Sequence, residues 1–146
     1  MNTLLVMAQI AGRRCAIEAP HVDMVIEMGA ITPVPRTPDF VSGITAVRSQ
    51  TLTVIDARLA IGFDPGAFAM DHRAIVATHE RSAYAIRVDA IEDICTAVSE
   101  PDQVPGGFGE AWARVSSGLV ETRVGPALLL NLESLLRAPE PFGAAA

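Results

Sequence analysis

The sequence predicts an all-β protein, a small barrel or sandwich, and three observations carry that reading. Short apolar runs of strand length recur along the chain, separated by turn signals. Half of the 146 residues are hydrophobic but only 5% are aromatic, so valine, isoleucine, leucine and alanine must fill the core. The third observation is a repeat. Gly43, Arg48 and Asp56 have the same mutual spacing as Gly118, Arg123 and Asn131. Both segments read glycine, strand, turn, strand, cap, short helix.

Leu4–Ile10 and Cys15–Ile17 read as a hairpin about Ala11-Gly12-Arg13-Arg14. Pro20 can open a helical turn through Val22 and Val25. Val25–Met28 then reads as a strand closed by Gly29. Pro33, Pro35 and Pro38 exclude helix interior and central strand, which leaves an extended loop leading to Phe40-Val41. Gly43–Val47 and Thr51–Ile55 form a second hairpin about Arg48-Ser49-Gln50. Asp56 is a good N-cap for a short helix Ala57–Ile61, and Gly62 a good stop.

Asp64–Asp71 reads as a loop. Ala74–Thr78 and Tyr84–Val88 read as strands around His79-Glu80-Arg81-Ser82, and Asp89–Ile94 continues the apolar alternation. Ser99–Gly109 is a Pro- and Gly-rich loop. Leu119–Arg123 and Ala127–Leu130 make the last hairpin, with Gly125-Pro126 at its turn. Asn131 caps a helix Leu132–Arg137, which Pro139 and Pro141 end. A true repeat divides the chain near residues 63–73 into two related β-subdomains; coincidence is the alternative, because the matching residue types are common.

Composition excludes several functions. Eleven basic residues, all arginine, face 17 acidic ones, and a net charge of -6 argues against a nucleic-acid binder. Cys15 and Cys95 read as buried thiols of a reducing compartment, with no secretory leader and no apolar run near the ~20 residues of a membrane span. His21, His72 and His79 fit no metal-ligand spacing, so no metal or cofactor is expected. Ser116-Ser117-Gly118 is not a nucleophile elbow, and Gly106–Gly109 lacks the Lys-Ser/Thr of a P-loop. Glu92 and Asp93 are neighbours on a strand and point to opposite faces, a poor acid–base pair. Arg48 stands out at a tight turn between apolar strands, either as a solvated turn residue or as a recognition residue.

Ile31–Ile44, with its Thr-Pro-Val-Pro-Arg-Thr-Pro-Asp-Phe-Val-Ser-Gly core, resembles the central signature of the CheW-like family of chemotaxis coupling proteins. In that family a strand, an Asn-Leu-Arg-Gly turn and a second strand ending in Asp-Leu-Arg follow. Here Ala46–Ser49 occupies the turn and Val54–Arg58 the strand end. Val25–Met28 resembles the family's Val-x-Glu-Ile, Tyr84–Ile94 its apolar run with Val-Asp, and Gly118 with Leu128–Leu136 its closing segment.

The resemblance implies an all-β fold of two SH3-like five-stranded barrels on a shared core. It implies a single domain over 1–146, with approximate subdomains 15–72 and 73–130 completed by the terminal segments. It further implies a non-enzymatic cytoplasmic adaptor, without cofactor and not inserted in the membrane. Its partners would be the regulatory domain of a CheA-type histidine kinase and the cytoplasmic tip of chemoreceptors, in membrane-associated arrays. Val25, Glu27, Ile44, Val47 and Arg48 are the expected partner-groove residues. The aliphatic members would supply buried area, and Glu27 and Arg48 orientation.

Ala46 and Ser49 depart from the family's turn Asn and Gly, and loss of that glycine makes a φ > 0 conformation more costly. Three rival functions stand beside this one: a divergent relative acting as inhibitor or competitor, a small ligand-binding barrel, which needs an interior cavity, and a small hydrolase, disfavoured by the lack of any nucleophile motif.

Overall fold

A computed structural model describes residues 3–64, 66, 69–102 and 108–137. The first half of the chain contributes β1 (Leu4–Ile10), β2 (Arg13–Glu18), a single 3-10 turn (Ala19–His21), β3 (Met24–Glu27), β4 (Val41–Val47), β5 (Gln50–Asp56) and α1 (Ala57–Ile61). The second half contributes β6 (Arg73–His79), β7 (Ser82–Arg87), β8 (Ala90–Thr96), α2 (Glu110–Val115), β9 (Ser116–Thr122), β10 (Gly125–Leu130) and α3 (Leu132–Leu136).

Apart from α2 and the 3-10 turn Ala19–His21, the two halves share one element order, and the repeat marks it. Asp56 accepts hydrogen bonds from the amides of Arg58 and Leu59 at the start of α1. Asn131 accepts from the Ser134 amide at the start of α3. Gly43 and Gly118 hold equivalent places in β4 and β9.

The barrels, however, are not the two halves. One sheet runs β8-β1-β2-β10-β9 and the other β3-β6-β7-β5-β4. Exchanging every strand for its repeat partner converts one order into the other. Each half has given its first hairpin to the other's sheet, where β2 pairs in parallel with β10 and β7 in parallel with β5. A division at 72/73 therefore cuts the second sheet, which draws on residues 24–87, while the first is assembled from both ends of the chain. The repeat reports a seam in sequence, whereas strand pairing is chosen across it.

Each sheet curls until its edges meet. Thr32 and Ile44 exchange backbone hydrogen bonds of 2.8 and 2.9 Å, and so do Asp102 and Leu119. The repeated glycines permit this approach. A Cβ on Gly43 would overlap the Thr32 carbonyl, and one on Gly118 the Asp102 carbonyl.

Leu5, Met7, Val120 and Leu129 fill the first barrel, and Leu52, Val54, Val76 and Ala85 the second. A larger cluster lies between them, including Ile17, Ile55, Ile75, Ile86 and Leu128, with Trp112, Val115 and Leu135 from the helices.

Local boundaries shift in three further places. The hairpin turns are two residues long, Ala11-Gly12, Arg48-Ser49 and Glu80-Arg81, and each holds both residues at φ between 50° and 80°. The last turn is Arg123-Val124, so Gly125-Pro126 opens β10 instead of making the turn. Helix α2 has no counterpart in the sequence reading, although Trp112 and Val115 lie three apart and are both buried. The expected Ser99–Gly109 loop falls partly outside the described residues.

Asp71 ties the two barrels together. Its carboxylate is buried and takes a bidentate pair from Arg73 at 3.0 Å, the Arg73 amide at 2.9 Å and the Ile91 amide at 2.7 Å. Arg73 opens β6 in one sheet and Ile91 lies in β8 of the other. Burial pushes this carboxyl up, but the Arg73 guanidinium and the two amides overcome it and hold it at about 2. The group is thus depressed from its ordinary 3.8. Its contribution is complete above that value and is lost as the pH falls through the folded one. Asp71→Asn should cost about 2 kcal/mol at neutral pH. The variant should also lose part of the wild type's stability decline below pH 4, a comparison that urea melts at pH 7 and pH 3 would provide.

Candidate partner-binding groove

A groove of about 480 Å³ follows the seam of the second barrel. Glu27, Gly29, Ala30 and Thr32 form one wall, and Ile44, Thr45, Ala46, Val47 and Thr51 the other. Strand alternation decides what each presents. Thr45 pairs with buried Leu52, faces inward, and donates its hydroxyl to the Ala30 carbonyl at 2.9 Å. Ile44 and Ala46 face outward; Ile44 is 37% exposed. Val47 is half-buried and packs on the barrel cluster that contains Leu52, so it supports the wall as well as lining it.

On β3, Val25 and Glu27 share a face while Ile26 packs inward. Val25 is 42% exposed. Glu27 is more open and has the His72 ring 3.7 Å away. Glu27, Ile44 and Val47 therefore meet in one groove. Val25 lies two residues along β3 from Glu27, and Arg48 begins the turn that follows Val47. Neither lines the groove itself.

Sequence reasoning missed Thr45, Ala30 and Thr32. Ala30 and Thr32 enter the site because the stretch after β3 crosses to β4, a contact with no local signal, and Thr45, on β4, because its hydroxyl reaches Ala30.

Arg48 is exposed with φ of 50°, and Ser49 follows at 67°. Ser49, where the family has glycine, adopts the left-handed conformation without one. That conformation costs a non-glycine residue roughly 1 kcal/mol. Ser49→Gly should raise stability by about that amount in thermal melts while leaving the turn in place.

A structural role for Arg48 through Asp56 or Glu27 finds no support. Asp56 is engaged in capping α1, Glu27 faces His72, and Arg48 makes no ion pair or side-chain hydrogen bond among the described residues.

Other groups are structural. Arg58 pairs with Asp89 at 2.8 Å and Arg14 with Glu92 at 3.3 Å. Cys15 and Cys95 are free and buried, and burial, reinforced by the Asp89 charge, pushes the Cys15 thiol up to about 12. It stays protonated, and so unreactive, at neutral pH. No helix among the described residues is long and apolar enough to cross a membrane.

Two closed five-stranded barrels sharing one core, with filled interiors and a groove along an outer seam, define a protein of the paired SH3-like barrel class. Residues 4–140 match the CheW-like domain, and the chain belongs to that family of chemotaxis scaffold proteins. It is 27% identical over 110 residues to a probable chemotaxis protein CheW of Rhizobium etli, covering 75% of this chain and 71% of that one. It is 32% identical over 74 residues to the chemotaxis protein CheW of Rhizobium meliloti, covering 51% and 47%. Over 48 residues it is 35% identical to the protein FrzA of Myxococcus xanthus, covering 33% and 30%. The scaffolding protein TtCheW of Thermoanaerobacter tengcongensis superposes with a TM-score of 0.80 at 21% identity, covering 94% of this chain and 90% of that one.

Proposed function

We propose that this protein is an adaptor that couples the cytoplasmic tips of chemoreceptors to the regulatory domain of a CheA-type histidine kinase. It would act in the cytoplasm and be recruited to receptor arrays at the membrane. The observation that carries this reading is the groove. Three of the five residues expected from the family resemblance line it together, and Arg48 stands exposed and unengaged beside it. An adaptor works through differential affinity: holding receptor and kinase together shifts the kinase between active and inactive arrangements.

The filled barrel interiors weigh against the ligand-binding-barrel reading. Ala46 and Ser49 favour the inhibitor or competitor reading over a standard coupling role only in that they change the residues on either side of Val47-Arg48.

Calorimetric titration with the receptor fragment and the kinase regulatory domain from the same genome tests the proposal. Binding of both, at surfaces that do not compete, is the expected result. Absence of heat with either partner overturns it. Kinase autophosphorylation with and without receptor then separates coupling from inhibition.

A further inference from the structure

The geometry points to a second site, a zinc-type cation clip formed by His79, Glu80 and Glu133. One ligand atom from each side chain lies within 4.8 Å of the other two. The three arrive from different elements: His79 ends β6, Glu80 starts the β6–β7 turn, and Glu133 lies in the first turn of α3. That turn belongs to the second barrel, whereas α3 follows β10 of the first. A cation held there would fasten one barrel to the other.

The donor set selects the ion. One imidazole and two carboxylates suit a borderline divalent transition ion such as zinc better than calcium or magnesium, which take oxygen ligands. His79 is the anchor, with its side chain 29% exposed, and its Nε2 already lies 3.9 Å from the Glu80 carboxylate. Glu80 and Glu133 are much more open, at 80% and 56%. Ligand atoms around tetrahedral zinc sit about 3.3 Å apart. The set therefore has to contract by an ångström or so, which rotamer changes of two exposed glutamates can supply.

Among the described residues the Glu133 carboxylate otherwise meets Arg137, a weak i,i+4 contact at 3.4 Å that a metal bond can displace. Beside the clip, His79 also borders a cavity of about 310 Å³ with Asn131 and the acidic residues Glu18 and Asp23. No lysine or arginine lines it among the described residues, and it offers space for the water that completes the shell. The sequence reading expected no metal because the histidines fit no metal-ligand spacing; His79 and Glu80 are neighbours, but Glu133 lies more than fifty residues away and only the fold brings it to them.

Full-length protein, stripped with chelator, should bind one equivalent of Zn²⁺ by isothermal titration calorimetry and melt at a higher temperature with the ion. His79→Ala and Glu133→Gln should each weaken binding by about tenfold or more. Glu133→Gln changes an exposed side chain, so it remains informative if His79→Ala disturbs the turn. His21→Ala, which changes a residue that lines the cavity but is not in the clip, should bind zinc like the wild type. Absence of zinc binding overturns the inference, as does undiminished binding by Glu133→Gln. A loss with His21→Ala equal to that with His79→Ala also overturns it, because the ion would then lie in the cavity and not in the clip.

Discussion

Replacing Arg114 by methionine should lower stability by about 3 kcal/mol, the largest single-residue effect expected outside the hydrophobic core. The reason is a shared cap. Helices end with carbonyls that have no intrahelical partner, and a buried orphan is costly. From α2, Arg114 reaches two such ends at once. Its Nη2 donates to the carbonyls of Ala60 at 2.6 Å and Ile61 at 3.1 Å, at the end of α1. Its Nη1 donates to those of Ser134 at 3.1 Å and Arg137 at 3.2 Å, at the end of α3.

These are the two helices related by the repeat. One guanidinium thus serves as the common C-terminal cap of both halves, where its charge also complements the helix dipoles. Burial lowers its pKa, and no carboxylate among the described residues offsets that desolvation, but the group stays charged at neutral pH. Methionine keeps the stem's apolar contacts and strands three part-buried carbonyls, while water can reach the exposed carbonyl of Arg137. Lysine offers a point charge that cannot span both helix ends, so Arg114→Lys should fall between. A melting temperature within about 2 °C of wild type for Arg114→Met would show that water caps these helices equally well.

Arg48→Ala should leave the melting temperature nearly unchanged, within about 0.5 kcal/mol, and weaken partner binding by roughly 2 kcal/mol or more. The structure sharpens this expectation. Arg48 is exposed and unengaged, so truncating it forfeits no internal hydrogen bond. It is held at φ 50° beside a groove that carries exposed Glu27 and Ile44. The positive φ is what a two-residue hairpin turn requires, as at Ala11-Gly12 and Glu80-Arg81, and it leaves the Arg48 side chain at the tip of the hairpin, open to an external partner. Arg48→Lys should rescue only part of the affinity, because lysine lacks the bidentate fork. Calorimetry and thermal melts on the same variant decide the matter. Unchanged affinity combined with a large loss of stability would remove Arg48 from the interface.

What the sequence determined by itself is local. Strand period, turn residues and caps act over a few positions, so the hairpins, the short helix after Asp56 and the helix after Asn131 were all legible. The repeat was legible too, because Gly43, Arg48 and Asp56 have spaced counterparts in Gly118, Arg123 and Asn131. Three residues of the groove could be named from a motif, since the motif holds both the strand carrying Glu27 and the hairpin carrying Ile44 and Val47.

Tertiary structure alone decided which strands pair. A strand's alternation says which face is apolar but not whose edge it will meet, and the parallel pairings β2–β10 and β5–β7 join segments from opposite halves. The exchanged hairpins, the Asp71 tie between sheets and the Arg114 cap on two helices all follow from that choice. So does the meeting of His79 and Glu80 with Glu133. Each is a contact between residues remote in the chain, brought together only when the two barrels close on one core.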